Sequence, residues 1–350
     1  MIFSEKLLFL QKKRSMLISL IIPVYNTENY ISACLKSVMN QTYCNFECVI
    51  VNDNSPDRSE EILREMLATY SGAISFHVVR HETNRGLPNS LNTGISNSNG
   101  EYLLFLDSDD TLVVDCIETM VGLLSCHKHV DMIQCGVNGD INIFNTSLMP
   151  SYSESRSMIF REFLNMHIPW TVHAKLVRRK FLEENDLFFN REILIHEDLY
   201  WSYLVCQKCK TFASSTKAVY NYNTLNPFSI MKQVSVHFEK SAHYYLLILN
   251  KLLSIIDDAN LADNRLFLDN LFFYLCTTIE KSQDITYSTY IDYKLCRTRF
   301  FKTAWYNRNF SEVLYLCHLY NPLRLLLRFG FYRSKMYIFE KLVRWEYEKH

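Results

Sequence analysis

The chain has 350 residues, 48% of them hydrophobic and 14% aromatic, which allows one large or two small domains and excludes a mostly disordered polypeptide. Lys and Arg total 37, as do Asp and Glu, so the basic excess of a nucleic-acid binder is missing. The balance is uneven: from Lys294 to His350 twelve Lys and Arg stand against four acids, leaving an acidic excess elsewhere.

Residues 1–15 read as an N-terminal extension, whose apolar patch Leu7 to Leu10 is too short for a signal or a membrane span. Leu17 to Ile22 is a continuous β-rich apolar run, a strand buried on both faces that Pro23 should end. A helix follows from about Glu28 to Asn40, with Tyr30, Ile31, Cys34, Leu35 and Val38 on one stripe and Thr27 as N-cap. Phe46 to Val51 is the next strand; Ser55 can cap, and Pro56 begin, a helix to about Tyr70. Ile74 to Val79 (strand), Gly86 to Ser96 (helix) and Tyr102 to Leu106 (strand) complete an alternation that predicts a mainly parallel α/β sheet flanked by helices. Beyond it, helices are expected near 115–127, 157–166 and 197–209, and short strands near 131–136, 211–213 and 217–222. The rest, from about 236 to 350, reads as a helical C-terminal extension. The 11 cysteines have no repeating spacing, and the lone C-x-x-C of Cys206 and Cys209 falls in a predicted helix, as expected of buried free thiols in a reducing cytosol. No stretch reaches ~18 uncharged apolar residues, so no transmembrane helix is expected.

Parallel strands bring distant sequence positions to one rim, and ligands bind beyond their carboxyl ends. Tyr25-Asn26, Asn52-Asp53 and Asp107 to Asp110 all fall at such ends. Asp107-Ser108-Asp109 places two carboxylates on a turn, able to hold a hard divalent cation that neutralises a diphosphate leaving group. Asp53 can accept a hydrogen bond from a base or ribose, or cap the following helix beside Ser55. Glu197-Asp198 opens a predicted helix whose dipole should keep the pair ionised, and a carboxylate there can take the proton of an attacking hydroxyl. His196 reads as an ordinary loop histidine; Trp170 suits either a stacking contact or the core, and His173 is the weaker candidate beside it.

The runs LISLIIPVYN, VIVNDNSPDRS and NRGLPNSLNTGISNSNGEYLLFLDSDD, in that order, resemble glycosyltransferase family 2 over Leu17 to about Leu124. TVHAKLVRRKFLEENDLFF, IHEDLYWSYLVCQKCKTF and VYNYNTLNPFSI extend the likeness more loosely to about Ile230, in the manner of relatives that build bacterial capsules and O-antigens. The resemblance implies a GT-A fold over residues 16–235, with a nucleotide-sugar half at 16–125 and an acceptor half at 126–235. It implies that Pro23 and Tyr25 lie along the base and that Asp53 bonds it. Asn26, Asn84, Asn92 and Ser108 complete the nucleotide-sugar pocket. Asp107 and Asp109 would flank the ribose, diphosphate and Mn²⁺ or Mg²⁺, with Asp109 the more direct ligand. Asp198 would be the general base, with Glu197 and Trp170 at the acceptor site. Two departures stand out: Leu91 replaces an Arg that many relatives carry before the residue matched by Asn92, and Asn223 to Phe228 lacks an Arg common after the aromatic strand.

The expected activity is inverting transfer from a nucleotide diphosphate sugar, UDP being preferred, to a glycan or lipid-linked acceptor. A non-catalytic sugar-nucleotide or glycan-binding module on the same fold is the alternative, disfavoured by intact Asp109 and Asp198. A dehydrogenase would show G-x-G-x-x-G where Pro23-Val24-Tyr25-Asn26 stands, and a nucleotidyltransferase a Gly-rich basic loop. The basic, aromatic C-terminal segment suits an anionic membrane surface or a helical subdomain with a solvated face. A cytoplasmic enzyme, peripheral on the inner face of the membrane, is expected; a nucleic-acid partner is not.

Overall fold

The computed structural model describes residues 16–127, 129–139, 151–227, 229 and 238–256, with isolated positions at 264, 267, 268 and 271. The chain divides into two compact units, Met1–Ser235 and Val236–His350. The first unit carries β1 (Ile18–Val24), α1 (Ile31–Met39), β2 (Phe46–Asn52), α2 (Ser59–Thr69), β3 (Ser75–Arg80), α3 (Leu87–Ser96) and β4 (Tyr102–Phe105). It continues with β5 (Thr111–Leu112), α4 (Cys116–Cys126), β6 (Met132–Asn138), β7 (Ser151–Ser153), α5 (Arg156–Leu164), β8 (Lys175–Arg178), α6 (Arg179–Glu184), α7 (Glu197–Lys208) and β9 (Phe212–Asn221). In the second unit the described helix is α8 (Phe238–Ile255).

These strands form one nine-stranded sheet in the order β3-β2-β1-β4-β8-β6-β9-β5, with β7 on β9. The first four are parallel, as their helical crossovers require. β8 then runs antiparallel to β4 and β6, and β6 parallel to β9. Buried on both faces, β1, β2 and β4 carry the apolar core. Helix α3 lies close against β1 because Gly94 has no side chain: a Cβ there would stand 2.3 Å from Ile21 Cγ2.

Several local expectations shift. Pro23 does not end β1, which runs to Val24. β4 pairs only as far as Ile21, and the Ile21 carbonyl faces it by accepting from the Leu106 N–H. By parity Pro23 faces that same side, past the end of the ladder, where a missing N–H costs nothing. Thr27 serves the start of α1 with its backbone carbonyl, which accepts from Tyr30 and Ile31 N–H, and not with its hydroxyl. Helix α2 begins at Ser59 rather than Pro56, because Ser55 is taken up by a bond from the Asn26 N–H and another to Asp57. The two short strands expected at 211–213 and 217–222 are one strand, β9, whose register against β6 shifts around Gly136. β5, β7, β8 and α6 were not foreseen.

Among the described residues, Cys206 and Cys209 are buried free thiols, as expected. No described helix is long and apolar enough to cross a membrane. The N-terminal extension, most of the C-terminal region and the basic segment from Lys294 lie outside the described residues.

Candidate active site

At the ends of β1 and β2 the polar groups are largely spoken for. Asp53 is buried and its N–H donates to the Val24 carbonyl at 3.0 Å, so it leaves β2 still tied to β1. Its Oδ1 accepts from the Arg85 N–H at 2.8 Å and contacts His81 Nδ1 at 2.6 Å; its Oδ2 accepts from the Gly86 N–H at 2.8 Å. His81 Nε2 in turn meets Thr93 Oγ1 at 2.9 Å. Asn84 Oδ1 shares the Gly86 N–H at 3.0 Å, and Gly86 takes the φ of +84° that opens α3. One carboxylate therefore fastens the whole 81–86 turn. Beside it, Pro23 is buried, Asn26 sits in the left-handed region at φ 55°, and Tyr25 is 46% exposed, an aromatic face on the rim. Asn92 does something else than expected. Its Nδ2 donates to the Phe189 carbonyl at 2.8 Å and its Oδ1 accepts from the Phe189 N–H at 2.9 Å. Its amide is thus consumed in clamping α3 to the segment that leads into α7.

The turn after β4 is built differently. The Asp110 N–H donates to the Asp107 carbonyl at 3.0 Å, closing it, and Ser108 is buried within it. The end of β9 and the loop beyond supply the side-chain partners. Tyr220 Oη donates to Asp110 Oδ2 at 2.6 Å and accepts from the Asp107 N–H at 3.2 Å. The Asn223 N–H donates to Asp110 Oδ1 at 2.6 Å, and Asn226 Nδ2 to Asp109 Oδ2 at 2.7 Å. His173 Nε2 lies 3.0 Å from Asp107 Oδ2. Burial first and the Asp107 charge second push Asp110 up to about 7, and raise Asp109 for the same two reasons. For His173 burial alone would lower the imidazole, but the bond and charge of Asp107, with Asp110 and Asp198 behind, raise it.

This turn fits a hard divalent cation. Ligand atoms of Asp107, Asp110 and His173 lie within 4.8 Å of one another, and two carboxylates with an imidazole suit Mn²⁺. Among the described residues, His173 is the one cationic partner within ion-pair distance of these acids. The group assembled is thus Asp107, Asp110 and His173. Asp109, expected as the more direct ligand, has Oδ2 bonded to Asn226.

Glu197 and Asp198 head α7, behind His196 in the left-handed region at φ 63°. Burial opposes the helix dipole here. It raises Glu197 well above its ordinary value and Asp198 up to about 6, with His173 and Lys175 pulling Asp198 back, so burial works against the ionised pair that the dipole favours. His196 is buried rather than a loop-surface histidine, and burial lowers it to about 4. Its ring stacks on Trp170 at 6.3 Å and 25°, and Trp170 is 7% exposed. The acid groups converge: the Tyr222 hydroxyl feels Asp110, Asp107, Asp109 and Asp198 together, and its ring lies 5.4 Å from His173. Asp53 stands apart, two strands away, about 10 Å by strand spacing.

His173, Tyr220, Asn226 and Lys175 carry more of the site than their sequence signals suggested. A single His or Tyr has no spacing to betray it; the available signal was their place in segments already likened to the family.

Residues 19–185 match the family described as Glycosyl transferase family 2. The uncharacterized glycosyltransferase EpsJ of Bacillus subtilis is 26% identical over 64% of this chain and 67% of its own length. The poly(ribitol-phosphate) beta-N-acetylglucosaminyltransferase TarS of Staphylococcus aureus is 29% identical over 51% of this chain, but 30% of its own length. The crystal structure of S. aureus TarS 1-349 in complex with UDP-GlcNAc superposes with a TM-score of 0.60 at 20% identity, covering 80% of this chain and 79% of that one. The mannosyltransferase PcManGT of Pyrobaculum calidifontis, in complex with GDP-Man and Mn²⁺, gives 0.55 at 16% identity over 75% and 73%. A mixed sheet with acidic turns at one rim, likeness to these folds and the match to residues 19–185 agree: that segment is similar to glycosyl transferase family 2, on a GT-A-type fold.

Proposed function

We propose that this protein is an inverting glycosyltransferase that moves a hexosyl or N-acetylhexosaminyl group from a UDP-sugar to a hydroxyl of a glycan or glycolipid, in bacterial surface polysaccharide assembly. The observation that carries the reading is the gathering of Asp198 with Asp107, Asp109 and Asp110 around His173 and Tyr222. In this reading a cation-binding turn and a separate carboxylate able to take a proton serve one substrate. The nucleotide lies along Pro23, Tyr25 and Asn26, with Asp53 offering the lone pair that Gly86 leaves on Oδ2, and Asn84 and Ser108 at its edges. Asp107 and Asp110, with His173, would hold Mn²⁺ or Mg²⁺, and Asp109 stands at the same turn. The cation, when bound, offsets the charge that builds on the departing diphosphate.

Asp198 accepts the proton of the acceptor hydroxyl as its oxygen bonds to the anomeric carbon and the bond to the diphosphate breaks. Attack from the face opposite the leaving group inverts the centre. Glu197, whose carboxyl burial raises, hydrogen-bonds the acceptor, and Trp170 packs beside it. The enzyme works in the cytoplasm, held to the inner face of the membrane by its basic C-terminal segment. A donor panel tests the core of this reading. UDP-GlcNAc, UDP-Glc, UDP-Gal and GDP-Man are incubated with the full chain, with Mn²⁺ or with chelator, and nucleotide release is measured. Mn²⁺-dependent release from a UDP-sugar is expected; binding of UDP without any turnover would leave a non-catalytic module.

A further inference from the structure

Lys175 is fully buried in β8, and among the described residues no carboxylate lies within ion-pair distance of its ammonium. Its Nζ donates instead to the carbonyl of Pro169 at 2.5 Å and to that of Thr171. Burying a cation is costly, so what it holds calls for a reason. It holds the backbone on both sides of Trp170. That stretch lies between α5 and β8, outside the sheet ladder, with Met166 at φ 64° before it and Ala174 at φ 52° after it. Its ends are tied elsewhere, Ile168 N–H to the Glu162 carbonyl and the His173 carbonyl to Gln134 Nε2, while the carbonyls on either side of Trp170 are held by the ammonium. Trp170, so anchored, stacks on His196, the residue that starts α7.

We propose that Lys175 is a positioning residue of the acceptor side: by holding the carbonyls of Pro169 and Thr171 it sets Trp170 against His196, and so fixes the helix start that presents Glu197 and Asp198. Trp170 and His196 form the link between the buried ammonium and the reacting carboxylate. The catalytic consequence rests on the reading of Asp198 as proton acceptor.

The test uses Lys175→Met in the full chain, with Trp170 fluorescence isolated by subtracting the Trp170→Phe spectrum in each background. In the wild type the Trp170 signal is blue-shifted and protected from acrylamide. In Lys175→Met it moves to the red and becomes quenchable, while Mn²⁺-UDP affinity stays within about twofold. The kcat for UDP-GlcNAc hydrolysis falls ~10-fold with KM unchanged, as expected when a reacting group is misplaced. Lys175→Gln, which keeps one donor, falls between the two, and it carries the test if the Met variant fails to fold. An unchanged Trp170 signal, or nucleotide affinity lost in step with kcat, overturns the proposal. If the wild type releases nucleotide from no donor, the functional reading fails instead, and the Trp170 signal still decides what Lys175 holds.

Discussion

At the end of β2, Asp53 is surrounded by donors: two backbone N–H groups and an imidazole meet its two oxygens. Two strands along the same rim, Asp109 and Asp110 also accept hydrogen bonds, from Asn226, Tyr220 and Asn223, but there like charge crowds in as well: Asp107 and Asp109 both act on Asp110, and His173 is the ion-pair partner of Asp107 among the described residues. Satisfied charge builds structure; crowded like charge keeps a demand for a cation or a proton. The contrast divides the rim into a scaffold around the 81–86 turn and a cluster where chemistry can happen.

Chelation should separate the two regions most sharply. Removing Mn²⁺ leaves the Asp53 turn unaffected but strips the acidic cluster of its partner, so turnover falls by ~10² or more while Tm changes little. Low pH should do the same more gently. A base held at about 6 is protonated below that value, so kcat should fall about tenfold for each pH unit lost beneath it. Asp53→Ala reverses the pattern. It leaves His81 and two N–H groups without their acceptor, and should cost about 2–4 kcal/mol in urea unfolding, with nucleotide affinity weakened through a loosened 81–86 turn. Least disruptive is Tyr220→Phe. It removes one hydroxyl that bridges Asp107 and Asp110, and should cost about 1 kcal/mol and weaken Mn²⁺ binding several-fold by calorimetry.

The two parts of the first compact unit were unequally legible. β1, β2 and β4 announce themselves as apolar runs because both their faces are buried, and their polar ends mark the rim directly. β8 stayed hidden because it has four residues and one of them is the buried Lys175, which no hydropathy pattern assigns to a core strand. β9 looked like two strands because Ser214, Ser215, Thr216 and Lys217 interrupt its apolar pattern where its register slips. The clamp of Asn92 on the Phe189 backbone was not legible because its partner is 97 residues away. The Asp107-Ser108-Asp109 turn was visible, but its hydrogen-bond partners Tyr220, Asn223 and Asn226 are more than 110 residues downstream. A local motif shows which groups carry charge; only the folded chain shows which charges remain unsatisfied.

Single-turnover release of UDP from a UDP-sugar, compared between wild type and Asp198→Asn at saturating Mn²⁺, tests the shared pocket most directly. With Asp198 as the base, the substitution lowers the rate by ~10²–10⁴ and leaves Mn²⁺-UDP affinity unchanged. It should also raise Tm at neutral pH, since a carboxylate whose folded value is raised binds protons more readily in the native state, and that penalty vanishes below pH ~4. A variant that turns over at the wild-type rate, with nucleotide bound equally well, would contradict the account.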